Sequence, residues 1–264
     1  MKKFAINFAI IMSLPLVAVA ESTPQSGLKI TNNTEAADTL TFNTLAQSIA
    51  EHKTTLADSV QLFENISKHT PQLYPKMEVI NGVTIFRAIT AAEFSEFEVW
   101  LAAYSKNKNI KIEPKLNVYG LAYFYQGSYY NSINTYDKAL AVMEKGLALQ
   151  PTETALVTES GVSLIKLNKL QSALDLYNKL LAADGFVPRL GKARILRSKG
   201  YILTEQGKLD NAEQAYLESQ KFEPDHAGAK AELAYIKHLK DGAKTAPSEL
   251  TTYDKAKGVK PSNQ

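Results

Sequence analysis

The chain reads as mainly α-helical, a series of stacked helix pairs, and three observations lead there. A glycine is followed twelve residues later by an alanine three times, at Gly127/Ala139, Gly161/Ala173 and Gly200/Ala212. Each pair sits in an amphipathic stretch, and the pairs recur at intervals of 34 and 39 residues, the range in which helical hairpins repeat. Helix stops recur with them: Pro151 and Pro224 lie twelve residues after their alanines, and Gly185 holds that place in the middle unit, where a left-handed cap is expected.

In chain order, the first 20 residues stand apart. Lys2 and Lys3 precede an apolar run from Phe4 to Val19, broken by Asn7, Ser13 and Pro15, and Ala18-Val19-Ala20 is a small-x-small cleavage site. This is the pattern of a secretory signal peptide, residues 1–20, cleaved after Ala20. A retained membrane anchor is the alternative, for which the run is short and contains Pro15. Residues 21–40 read as a flexible polar lead. Residues 241–264 read as a disordered tail, with Gly242, Pro247, Gly258 and Pro261 among Lys, Thr and Ser.

Residues 41–115 form an N-terminal helical region without the repeat. Leu45, Ile49, Leu56, Val60, Phe63 and Ile66 recur at helical spacing and predict one long helix over 42–69, ended by Thr70-Pro71. Asn81-Gly82 between Glu78-Val-Ile and Val-Thr-Ile-Phe86 points to a short β-hairpin, with a helix as the rival reading. Thr90 and Glu93 make a capping box for a helix to about Tyr104. Trp100, the single tryptophan, is read as a core plug between that helix and the first repeat, with a partner hot spot as the alternative.

Residues 116–240 hold the hairpins and a capping helix. A Gly on one helix and an Ala on the next permit close approach. Large residues fall three after each Gly (Tyr130, Leu164, Leu203), three before each Ala (Tyr136, Leu170, Leu209) and four after it (Met143, Tyr177, Tyr216), giving each pair an apolar inner stripe. Gly207 suits a turn. After Pro224, Asp225 is the expected N-cap of a last helix whose Leu233 and Ile236 face the stack, while Lys230, Glu232, Lys237 and Lys240 face water, as a solenoid's end requires.

On these residues the chain resembles the tetratricopeptide repeat (TPR) family, with units at 120–153, 154–187 and 193–226. Gly200, Leu203, Gly207, Leu209, Ala212, Tyr216 and Pro224 match its pattern best. The family's early Trp is replaced by Tyr123, Val157 and Leu196, and five extra residues, Pro188–Lys192, separate the second and third units.

Chemistry finds little footing in the sequence. There is no cysteine, which removes thiolate metal sites and thiol catalysis. His52, His69, His226 and His238 form no ligand pair at helical spacing, so neither metal nor cofactor is expected. Nucleophile-elbow, phosphate-loop and dinucleotide motifs are absent. Net charge is +3, or +1 without Lys2 and Lys3, too low for general nucleic-acid binding.

The resemblance implies a non-catalytic adaptor that binds a protein or peptide partner along the first helices of its units. The family's groove positions correspond here to Phe124, Tyr125, Ser128 and Asn131; to Glu159, Val162 and Lys166; and to Arg194, Arg197, Tyr201 and Glu205. That groove is aromatic at one end and basic at the other. Arg194 and Arg197 are placed to grip a carboxylate or to pair with acids such as Glu205. The carboxylate clamp of cytosolic chaperone-binding members is not matched, since Phe124, Ser128, Glu159, Arg194 and Ser198 stand at its positions. With the leader, the expectation is a periplasmic or secreted protein of bacterial envelope assembly, with no integral membrane segment after cleavage. The rival is that residues 41–115 are a separate enzymatic or dimerisation module with the repeats as a handle.

Overall fold

A computed structural model describes residues 32–105 and 110–242. The expected signal peptide, most of the lead and nearly all of the tail lie outside the described residues. The elements are α1 (Asn32–Ala50), α2 (Leu56–Lys68), β1 (Met77–Ile80), β2 (Val83–Ala88), α3 (Ala91–Tyr104), β3 (Lys111–Leu116), α4 (Val118–Ser132), α5 (Tyr136–Leu149), α6 (Thr154–Lys166), α7 (Leu170–Leu181), α8 (Arg189–Glu205), α9 (Leu209–Phe222) and α10 (Ala227–Lys240). The fold is mainly α, built of paired helices, with one three-stranded sheet. The described residues divide into two compact bodies, one ending at Gly191 and one beginning at Lys192.

In the first body, α4 packs on α5, α6 on α7, and α6 on both helices of the preceding pair. The same relation holds one step earlier, where α4 packs on both α1 and α2. These two helices are therefore a further hairpin stacked ahead of the recognisable repeats. The expected single helix over 42–69 is broken, and residues 32–40, read as lead, are helical. The break has a local cause. His52 takes a positive φ of 58°, and Thr55 restarts the chain as an N-cap in a reciprocal box with Asp58. Apolar spacing runs across the break because both helices bury one side in a common core, with Phe42, Leu45, Ile49, Phe63 and Ile66 against Tyr119, Tyr123 and Tyr125.

Between α2 and α4 lies an insertion, β1-β2-α3-β3. The β-hairpin is as expected. Asn81 and Gly82 have φ of 51° and 78°, the positive values a two-residue turn matched to strand twist requires. Strand β3, which the sequence did not announce, adds parallel to β2 on the other side. Thr90 caps α3, its hydroxyl accepting from the Glu93 N–H at 3.1 Å. The return half of the expected box is displaced, because the Glu93 carboxylate accepts from Ile89 N–H at 2.6 Å while Lys76 holds its other oxygen.

Helix α3 covers β2 through Phe97 stacked on Phe86 at 3.8 Å. Trp100 is half-buried and packs on Phe97, Tyr104 and Phe186. Its neighbour is thus the segment after the second hairpin rather than the first repeat. Glu96 of α3 accepts from the Arg189 N–H at 2.7 Å, placing a carboxylate at the start of α8, where the helix dipole favours it. Residues 41–115 do not form a body of their own: they share one core with the hairpins.

Each hairpin is seated by its glycine. A Cβ on Gly127, Gly161 or Gly200 would run into Met143, Tyr177 or Tyr216 respectively. What lies nearest each glycine is the large residue four after the alanine, rather than the alanine itself. The inter-helix turns also share a device. Asn134, Asn168 and Gly207, each seven residues after its glycine, all have positive φ. Gly185 does not, and α7 ends earlier, at Leu181.

In the second body, α9 packs on α10. The N-cap of α10 is His226, not Asp225: its Nδ1 accepts from the Ala229 N–H at 3.2 Å. Asp225 instead pairs with Lys230 in solvent. Ile236 is buried and Leu233 half-buried against the body.

Candidate partner-binding faces

Residues three, four and seven apart on the first helix of each pair share one side of it, and the structure treats the three predicted sets differently. On α4, Phe124, Tyr125 and Ser128 are buried, at 7%, 7% and 2% exposure. Tyr125 stacks on Phe63 at 4.9 Å and packs on Phe42 at 5.7 Å, with Phe124 edge-on to it. Burial pushes the Tyr125 hydroxyl up to about 12. The expected aromatic end of a groove is therefore interior, because α1 and α2 stack over it. Tyr130 stays half-buried and donates to Glu64 of α2 at 2.8 Å.

One turn on, Asn131 joins α4 to α6. Its Nδ2 donates to the Glu159 carboxylate at 3.0 Å and the Glu159 carbonyl at 3.2 Å, and its Oδ1 accepts from Ser163 Oγ at 2.7 Å. Two predicted residues, Asn131 and Glu159, are thus brought together; Ser163, which completes the set, is buried and carries no signal of the role in the sequence. Val162 and Lys166 lie half-exposed on α6 beside Thr158 and Ile165. This face is polar at Glu159, apolar at Val162 and cationic at Lys166.

The second body presents the stripe Arg194, Arg197, Tyr201 and Glu205 on α8. Arg197 does pair with an acid, but with Glu223 at 2.7 Å rather than Glu205. The sequence holds no signal for that partner, since Glu223 is the C-cap of α9, 26 residues away. The two ends of the stripe differ in sign. His226 is held below its ordinary pKa by burial and then by Arg197 and Arg194, with Glu223 opposing. Tyr201 is raised to about 12 by burial, then by Glu205 and Glu232. Arg194 and Glu205, eleven positions apart, lie about 16 Å apart along the helix, positive toward the α8 N-terminal side and negative toward the other.

The densest set of ionisable groups lies away from these faces, inside the first body. Lys76 Nζ meets Glu153 and Glu93 at 2.5 Å each. Asn117 Nδ2 donates to Glu153 at 2.9 Å and to Gln150 at 2.7 Å, and Gln150 donates to the Tyr74 carbonyl at 3.1 Å. Burial alone would lower the Lys76 pKa, but attraction to Glu153 and Glu93 outweighs it and the net shift is upward. Glu153 also caps α6 and Asn117 caps α4. The cluster therefore pins the segment before β1, the start of α3 and the N-termini of two repeat helices together. A second set runs from Glu35 through Tyr74 to Arg87, whose guanidinium lies 4.2 Å over the Tyr74 ring. Among the described residues no three His, Asp or Glu side chains gather as metal ligands would.

The sequence profile of the tetratricopeptide repeat family matches residues 193–226, the span read as the third unit. No curated protein matches the chain. Solved structures similar to it include the first TPR domain of human RPAP3, at 23% identity over 47% of this chain and 93% of that one, TM-score 0.42. The first TPR of Spaghetti (RPAP3) bound to the HSP90 peptide SRMEEVD is 23% identical over 46% and 93%, TM-score 0.41. MamA from Desulfovibrio magneticus RS-1 is 14% identical over 87% and 98%, TM-score 0.49.

Proposed function

We propose that the protein is a non-catalytic scaffold that binds a protein or peptide partner on the first-helix faces of its repeats. The observation that carries this is the half-exposed, chemically mixed stripe on α6 and again on α8, at corresponding positions of units seated by the same glycine contact. Stacked hairpins line one side of the stack with their first helices, and extended or helical segments of a partner lie there. Burial of Phe124, Tyr125 and Ser128 narrows the binding residues to Asn131, Glu159, Val162 and Lys166 on one body and Arg194, Arg197, Tyr201 and Glu205 on the other. The segment ending at Ala20 directs export, and the working place is the bacterial envelope, in the assembly of a secretion, pilus or respiratory system.

A photo-crosslinking residue at Val162 or Glu205, in the native host, yields one common adduct by mass spectrometry. The same residue at Glu218, on the exposed side of α9, yields none. Equal crosslinking from all three positions removes these faces as the site. N-terminal sequencing of the purified protein tests export separately: Glu21 is expected, and a retained Met1 leader contradicts it.

A further inference from the structure

The register of the sheet fixes which backbone groups of β1 look outward. Ile80 pairs with Val83 across the two-residue turn, so those two residues exchange hydrogen bonds, and bonding alternates along the ladder. Lys76 confirms the parity, its carbonyl accepting from the Arg87 N–H at 2.9 Å. Lys76, Glu78 and Ile80 therefore turn their amides toward β2. Met77 and Val79 turn theirs to the outer side, each with one N–H and one C=O. Their side chains are 44% and 68% exposed, and Leu73 just before the strand is 77% exposed. Glu78, the one charge on the strand, is taken up by Arg87.

The opposite edge of the same sheet is guarded. Strand β3 carries Lys111, Pro114 and Lys115, and proline and lysine are what proteins place on an edge to prevent pairing. β1 carries neither. A second copy of the chain does not suit this edge, because a strand of four residues buries far less than the roughly 1,200 Å² a stable dimer needs. A short edge whose one charge is already paired, flanked by apolar side chains, suits one extended segment with alternating apolar residues.

We propose that β1 is a docking edge at which an extended, uncharged, apolar segment of a partner protein adds as a fourth strand beside Met77 and Val79. This edge is distinct from the α6 and α8 faces and stands whether or not those faces bind.

The test uses ¹⁵N-labelled full-length chain and the peptide acetyl-Thr-Val-Thr-Val-Thr-Val-amide at millimolar concentration. The Met77 and Val79 amides slow in hydrogen exchange by about tenfold or more when the peptide is present. The peptide methylated on alternate nitrogens binds about tenfold more weakly, since it cannot complete the ladder. Val79→Pro abolishes the effect while cross-strand signals between Glu78 and Ile85 persist, because the lost N–H does not serve β2. Val79→Lys, which keeps the N–H, weakens binding as an edge lysine should. No binding, equal binding by the methylated peptide, or undiminished binding by both variants overturns the proposal. So does protection in the free chain that grows with protein concentration, which assigns the edge to a second copy. Protection in the free chain that vanishes when residues 1–31 are removed assigns it to the chain's own upstream segment and overturns it equally.

Discussion

At Lys76 three ionisable groups share a space closed to water, and their charges do not balance: one ammonium faces the carboxylates of Glu153 and Glu93. The Glu93 pKa is raised, first by burial and also by Glu153, with Lys76 opposing. A carboxylate with a raised folded pKa holds its proton more tightly in the folded chain. The stability this adds is full below the unfolded value of about 4.5 and fades as pH rises through the folded value. Glu93→Gln should therefore be neutral or stabilising at pH 7, since a Gln oxygen still accepts from Ile89, and its melting temperature should fall less than the native one from about pH 5 to 8. Lys76→Met strands two buried carboxylates and should cost roughly 3–5 kcal/mol in urea titration. Equal losses from both substitutions would mean that Glu93 is ionised and paired. None of this was legible beforehand. Lys76, Glu93 and Glu153 are far apart in sequence, and only the capping role of Glu93 carries a local signal.

Among the elements, the hairpins were the most legible because their signals are local. The glycine, the alanine and the large residue four further on all lie within one pair of helices. Helix α4 carries Tyr119, Tyr123, Phe124, Tyr125, Tyr129 and Tyr130, more rings than one helix face holds. The resolution lies in α1 and α2, a pair that packs on α4 but lacks a matching glycine. Asn134, Asn168 and Gly207 keep the spacing of the glycines and all adopt the left-handed backbone. Asparagine tolerates that region and alanine does not. Asn168→Ala and Gly207→Ala should each cost about 1–2 kcal/mol, whereas Asn168→Gly should change stability by a few tenths. Thermal melts of the three variants decide it. If alanine at 168 costs nothing, the turn is held by its packing and not by its backbone.

For the molecule as a whole, the boundary drawn at residue 115 followed a change in sequence pattern, and pattern is not the same as a core. Phe42, Phe63 and Tyr74 on one side of it are buried against Tyr119 and Tyr125 on the other. The Lys76–Glu153 pair crosses it as well. A chain cut there exposes that aromatic surface and leaves Lys76 without Glu153, a combination for which no single-domain stability of ordinary size compensates. A cut at Gly191 follows the division between the two bodies and keeps every one of these contacts. Residues 21–191 should accordingly unfold in one cooperative transition, followed by circular dichroism in urea, and residues 21–116 should show none. A cooperative transition from the shorter piece would restore the reading of the N-terminal region as a module in its own right. The aromatic layer between α2 and α4 would then be an interface between two folded units, open to a partner when they separate.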